Sequence, residues 1–370
     1  MIPNDQKENY VVSNFFVFFI IISSINGTGL LGFQNILAKN AKHDGWIVVL
    51  TIGISIFLVI WIIYKLLKGN STDIIAVHNA IFGKFIGRLL SIVLSIYFLT
   101  VSVYVFRTYL EIVRVWAFPS VSVMELGFLM LLIIYYIVSG GFRVITGICF
   151  LFSLIPCILL LFSLFYPIKF AHLNNLFPIL NLSFYDFIHG FKESSSIYFG
   201  FETLLFYYPL LKNGESSRKW ANYAILYTIV LFTIVTLISF SYFSIGQLLH
   251  SKWPTLEMIK IIKLPFVERF EFIFVFCWLA VVIPTICLHL WCVCRVYKRL
   301  FDIKPRISLI VSLLIIFMST IGIDNYLKLE MFNKYVYTAG FYFVYIYIPL
   351  IYLTKVVWNM AKKNLRNTEK

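Results

Sequence analysis

Along most of its length the chain repeats one pattern: an apolar run of about 20 residues, enough to cross a hydrocarbon core of about 30 Å as a helix, followed by a short polar or basic connection. These runs carry no polar stripe at helical spacing, so a globular protein could not leave one side of them in water. Composition agrees, with 61% hydrophobic and only 13% charged residues, where an average soluble domain carries roughly 25% charged. The chain therefore reads as an all-α polytopic membrane protein. Ten spans are predicted, at 12–31, 46–66, 85–109, 123–140, 144–166, 189–211, 221–247, 270–294, 307–323 and 335–357. All 370 residues form a single membrane domain: a cytoplasmic segment 1–11, a ten-helix core 12–357 and a basic cytoplasmic tail 358–370.

The net charge of +14 comes from short Lys/Arg clusters between apolar runs. That spacing fits membrane topology rather than a basic face for nucleic acid, so lipid is the expected surround and no nucleic-acid partner is expected. With the amino terminus in the cytoplasm, the inner segments hold 19 of the 31 Lys and Arg. The opposite orientation would invert that bias, so both termini are expected in the cytoplasm. The start, MIPNDQKENY, has two acids to one lysine and no small-residue cleavage site follows the first run, which argues against a cleaved signal peptide. All six cysteines lie inside apolar runs and read as small buried hydrophobes. Cys287, His289, Cys292 and Cys294 crowd one helix without a metal-ligand spacing, so neither metal nor cofactor is expected. No nucleophile triad, phosphate loop or carboxylate pair supports an enzyme.

Two outer connections are long. One, 169–185, carries Asn174, Asn175 and Pro178. The other, 250–269, opens on Trp253-Pro254-Thr255 and mixes apolar with charged residues. It is expected either as an amphipathic lid over the outer face or as an interfacial helix anchored by Trp253.

Spans one and six contain interruptions that a simple anchor does not need. The first has Asn26-Gly27-Thr28-Gly29. The sixth has Ser194-Ser195-Ser196, then Phe199-Gly200-Phe201-Glu202. Each opens a half of five spans, and an odd number of spans inverts the second half relative to the first. Breaks at matching places in inverted halves define a 5+5 inverted-repeat, LeuT-like fold whose ligand sits near the midplane. A broken helix exposes N–H groups on one side and carbonyls on the other, which suits a zwitterionic amino acid. The substrate-binding candidates are Asn26, Gly27, Thr28, Gly29, Ser195, Ser196, Phe199, Gly200 and Phe201. Glycine allows close backbone approach, and Thr28 and the serines offer hydroxyls. For each break alone, small-residue helix packing explains the glycines equally well. Glu202, an acid deep in an apolar span, is a proton carrier, a partner for an ammonium group, or a structural hydrogen-bond acceptor for another span. Pro156, Pro209 and Pro284 are expected to kink spans five, six and eight. Tyr104 and Trp278 are positioned to close the pocket from the opposite side.

The motifs resemble a known family: spore germination permease-like proteins, the GerAB/GerKB-type B subunits of germinant receptors, in the amino acid-polyamine-organocation transporter superfamily. The resemblance runs over nearly the whole chain. It rests on Asn26 to Leu31, on Asp44-Gly45-Trp46-Ile47, on Tyr198-Phe199-Gly200-Phe201-Glu202, and most specifically on Trp253-Pro254-Thr255-Leu256-Glu257 with Glu268-Arg269-Phe270-Glu271. Two departures stand out: Asn14 where the family usually has Gln, and Phe33-Gln34 where a Pro usually follows the first break. The resemblance implies a multi-pass protein of the spore inner membrane that works with receptor A and C subunits. It also implies sensing of a small nutrient such as an amino acid. A proton-coupled amino-acid permease is the alternative. A channel would need a polar pore face or charged rings, which the sequence lacks.

Overall fold

The structure, a computed structural model, describes residues 11–68, 73–265 and 267–368. The predicted amino-terminal segment lies outside these apart from Val11, as do the last two residues of the tail. Among the described residues the fold is helical, with only isolated β-bridges. In chain order the helices are α1 (Phe16–Ile25), α2 (Phe33–Ala41), α3 (Gly45–Leu67), α4 (Ile74–Trp116), α5 (Val123–Ser139), α6 (Phe142–Ile168), α7 (Phe184–Ser194), α8 (Leu204–Tyr207), α9 (Arg218–Tyr242), α10 (Ile245–His250), α11 (Pro254–Ile259), α12 (Phe270–Phe301), α13 (Pro305–Gly322), α14 (Tyr326–Tyr342) and α15 (Ile348–Thr368). Among the described residues, seven segments are long and apolar enough to cross a membrane, and α1 and α5 are shorter apolar helices. The physical reason is the one the sequence supplied: in hydrocarbon only a helix satisfies every backbone polar group within its own segment.

Four expectations need correction. Span one does not end at residue 31. After its break it resumes as α2, whose polar Gln34 and Asn35 bond to the 248–255 connection instead of facing lipid. Span six starts earlier, at Phe184, and beyond Ser194 becomes a series of single turns. Span three is longer at both ends, with a kink at Gly83 (φ 75°), and so includes the buried ion pair of Arg107 with Glu111 at 2.9 Å. The 250–269 connection is not a surface lid. Its helix α11 buries Pro254, Thr255, Leu256, Met258 and Ile259 against α6, α9 and the first break. Pro156 and Pro284 lie inside continuous helices, and Pro209 starts a 3-10 turn.

The family-like motifs prove to be the joints of this architecture. Asp44, buried, accepts from Leu180 N–H and Asn181 N–H, each at 2.8 Å, and so anchors the long 169–183 connection. A Cβ on Gly45 would stand 2.9 Å from the Phe240 ring, so only glycine lets α3 start against α9. Thr255 donates to Leu30 O at 3.1 Å and accepts from Gln34 Nε2 at 2.7 Å, docking the Trp-Pro-Thr loop onto the broken first span. Arg269 Nε donates to buried Glu271 at 2.9 Å, where α12 begins.

One face is sealed. Val12 bridges to the strand-like end of span six, with Val12 N–H donating to Leu210 O at 2.8 Å and Lys212 N–H to Val12 O at 2.9 Å. Asn14, the departure from the family's Gln, accepts from Asn213 N–H at 2.9 Å and bonds Ser216. Tyr64 and Ser217 bond at 2.7 Å. Asp73 caps α4 through Ala76 N–H and pairs with Arg295 at 3.1 Å and Arg299 at 3.5 Å.

Candidate functional site

The two breaks meet in space. Helix α1 stops at Ile25 and the chain passes through Asn26 and Gly27 into a 3-10 turn, Thr28–Leu31. On the other side, Phe199 is extended and Gly200 adopts φ +126°, a conformation that an L side chain rarely takes. A Cβ on Gly200 would lie 2.1 Å from Ser24 O, so the glycine exists to let the sixth-span break press on the first. Gly29 differs: outside its own chain neighbours, nothing stands within 4 Å of a Cβ built there.

Above this junction is a cavity of about 790 Å³. It reaches the face carrying the long connections, where Lys39, Lys252 and Glu330 stand exposed at its rim. Of the predicted candidates, Gly27, Thr28, Gly29, Ser196, Phe199, Gly200 and Glu202 line it. Three do not. Asn26 faces a small crevice beside Trp278, Ser195 turns its hydroxyl to Lys192 O at 2.8 Å, and Phe201 is wholly buried beneath the turn. Tyr104 lines the cavity as expected, its hydroxyl bonded to that of Tyr337. Trp278 stands behind the wall and donates from Nε1 to Gly27 O at 3.3 Å.

Glu202 is 1% exposed and both of its oxygens are occupied. Oε1 accepts from Tyr97 Oη at 2.9 Å and Oε2 from Gly200 N–H at 2.6 Å. Its carboxylate thus holds the strained Gly200 peptide in place and ties it to α4. Beyond Tyr104, sequence reasoning missed Tyr97 on α4 and Thr285 and His289 on α12 as cavity residues. Thr285 donates to Ser23 O at 2.6 Å, so this carbonyl freed by the first break already has a donor. One turn further along α12, His289 faces the cavity with its ring stacked on Phe98, centroids 5.5 Å apart. The available signal was the Thr285-x-x-x-His289 spacing, which puts both polar groups on one face of an apolar helix.

With this geometry in place, comparison with known proteins fixes the class. The fold matches a sodium-coupled sialic acid symporter, solved substrate-bound and outward-open, with a TM-score of 0.64 at 11% identity over 94% of this chain and 76% of that one. It also matches Mhp1, a nucleobase-cation-symport-1 family transporter solved closed with bromovinylhydantoin bound, at TM-score 0.58 and 11% identity over 87% and 75%. The chain is therefore a multi-pass membrane protein with the LeuT-type broken-helix fold. Residues 11–326 match the family model described as spore germination protein, and the chain belongs to that permease-like, non-enzymatic family. Among relatives, spore germination protein GerQB of Bacillus cereus is 41% identical over 96% of this chain and 98% of its own length.

Proposed function

We propose that the protein is a germinant-receptor B subunit that binds a small nutrient, an amino acid by preference, in the cavity at the junction of the two breaks. The observation that carries this reading is the meeting of the breaks beneath a cavity that opens to one face and is sealed at the other. Both termini then lie in the cytoplasm and the cavity faces away from it, in the spore inner membrane beside A and C subunits. Ligand bound between spans one and six favours a conformer in which the cavity is closed. That population shift, not net transport, is the signal passed to the partners. Gly27, Thr28, Gly29 and Ser196 contact the ligand head group, with Phe199 walling the cavity.

The alternative, a proton-coupled amino-acid permease, would use Glu202 as carrier. The two hydrogen bonds it already accepts favour a positioning role. Purified protein in liposomes tests both readings through saturable binding and inward uptake of labelled alanine and an amino-acid panel, extended to the hydantoin of the second fold neighbour. Binding without uptake supports the receptor. Uptake driven by a proton gradient and lost in Glu202→Gln supports the permease. Absence of binding across the panel refutes the site.

A further inference from the structure

His289 is 1% exposed, faces the cavity, and has no hydrogen-bond partner for either ring nitrogen. A buried polar group left unpaired costs stability, and such groups in folded proteins are paired with protein or with something bound. Phe98 covers one ring face, and Thr285 one turn away has turned its hydroxyl to Ser23 O. Thr28 and Thr108 line the same space, their hydroxyls beside that of Tyr104. Thr28 belongs to the first break, where the ligand's head group is placed above. His289 belongs to α12, one turn beyond Thr285, which packs against the first break.

We propose that His289 is a specificity-determining residue that hydrogen-bonds the side chain of the bound ligand, which is an amino acid bearing a hydroxyl or carboxamide. This rests on the cavity reading under Proposed function. The chemistry follows from the imidazole: in its neutral form it offers one N–H donor and one bare acceptor nitrogen. A hydroxyl or carboxamide both donates and accepts and can satisfy it. An aliphatic side chain cannot, and leaves the ring unpaired. A site built around such a group rejects the analogue that lacks it far more strongly than a purely apolar pocket does.

The test uses full-length protein in lipid nanodiscs and near-isosteric pairs of labelled amino acids: asparagine with leucine, and threonine with valine. Wild type is expected to favour the polar member of at least one pair by roughly 10-fold or more, consistent with one buried hydrogen bond. His289→Leu is expected to abolish that preference while binding the aliphatic member as well as wild type or better. It is also expected to melt no lower than wild type, because it removes an unpaired polar group and fills the space. His289→Asn, which keeps a donor and an acceptor, is expected to restore part of the preference. An equal loss of all ligands in His289→Leu, or an unchanged preference, overturns the inference and leaves the cavity reading standing. If wild type binds no member of the panel, both fall.

Discussion

Gly200 and Gly29 provide a matched pair of perturbations, since both are glycines of the breaks and both line the cavity, yet the structure gives them opposite duties. A methyl group at residue 200 would stand 2.1 Å from Ser24 O and 2.5 Å from Ser24 C. To reach an ordinary contact of about 3.5 Å, backbone must part from backbone by more than an ångström. The φ of +126° adds about 1–3 kcal/mol for a non-glycine residue, and overpacking about 1–3 kcal/mol more. Gly200→Ala should therefore destabilise the protein by about 2–6 kcal/mol, a large part of a typical stability of about 5–15 kcal/mol. At Gly29 no atom beyond its own chain neighbours lies within 4 Å of the added methyl, and φ is not positive. Gly29→Ala should accordingly change stability by less than about 1 kcal/mol, in either direction, while its methyl intrudes where ligand is proposed to sit. Thermal unfolding of the purified variants, followed by tryptophan fluorescence, separates the two. Equal melting of Gly200→Ala and wild type, or equal destabilisation by both alanines, would refute the claim that the breaks are held together through Gly200.

Other predictions probe the joints around that junction. Asp73→Asn retains the α4 cap but loses charge-assisted bonds to Arg295 and Arg299, and should lower stability by about 1–3 kcal/mol in denaturation of purified protein. Thr255→Val strips Leu30 O and Gln34 Nε2 of a partner, so its melting temperature should fall, whereas Thr255→Ser should stay close to wild type. A methyl on Gly340 would meet the Phe199 ring at 2.6 Å, so Gly340→Ala should press that ring into the cavity. Ligand-binding titrations should then show bulky ligands weakened more than alanine. With the cavity facing away from the cytoplasm, Lys252→Cys in intact cells should react with a membrane-impermeant maleimide and Glu215→Cys should not; the reverse pattern would invert the proposed orientation.

How far the sequence could be read depended on whether a feature was local. The breaks were legible because Gly and Ser inside an apolar run conflict with lipid solvation, and Glu202 stood out for the same reason. Helix α2 was not legible: Phe33–Ala41 mixes polar and apolar residues because it packs against another part of the chain, and partners more than 200 positions away, Ser239, Leu248, Leu249, Ser251 and Thr255, account for Gln34 and Asn35. Asn26 and Ser195 shared the residue types of their cavity-lining neighbours, and only the folded backbone shows that Asn26 lines a separate crevice and that Ser195 bonds back to Lys192 O one turn earlier. His289 was grouped with three cysteines adjacent in sequence, although its relevant neighbours in space are Phe98 and the cavity.

The asymmetry between the two faces bears on sensing against transport. A ligand can shift an equilibrium only by its differential affinity for the two states, and moving a population from 1:99 to 99:1 takes about 5.5 kcal/mol. At the open face the rim pair Lys39–Glu330 is exposed and 3.8 Å apart, and exposed pairs contribute about 0–1 kcal/mol, so little holds that face in its present form. Opening the opposite face requires the Val12 and Asn14 bonds, the Tyr64–Ser217 bond and the buried Asp73 carboxylate's pairing with Arg295 to part together. Neutral bonds contribute about 0.5–1.5 kcal/mol each and bonds to a charge about 1.5–3 kcal/mol, so this layer alone rivals the whole differential affinity a small nutrient can supply. In the receptor reading proposed above, ligand binding energy closes the cavity and is largely consumed before it can open the sealed face, which would give a conformational signal without net passage of solute. It also predicts that weakening the seal, for example with Asp73→Asn, would turn binding without uptake into measurable leak.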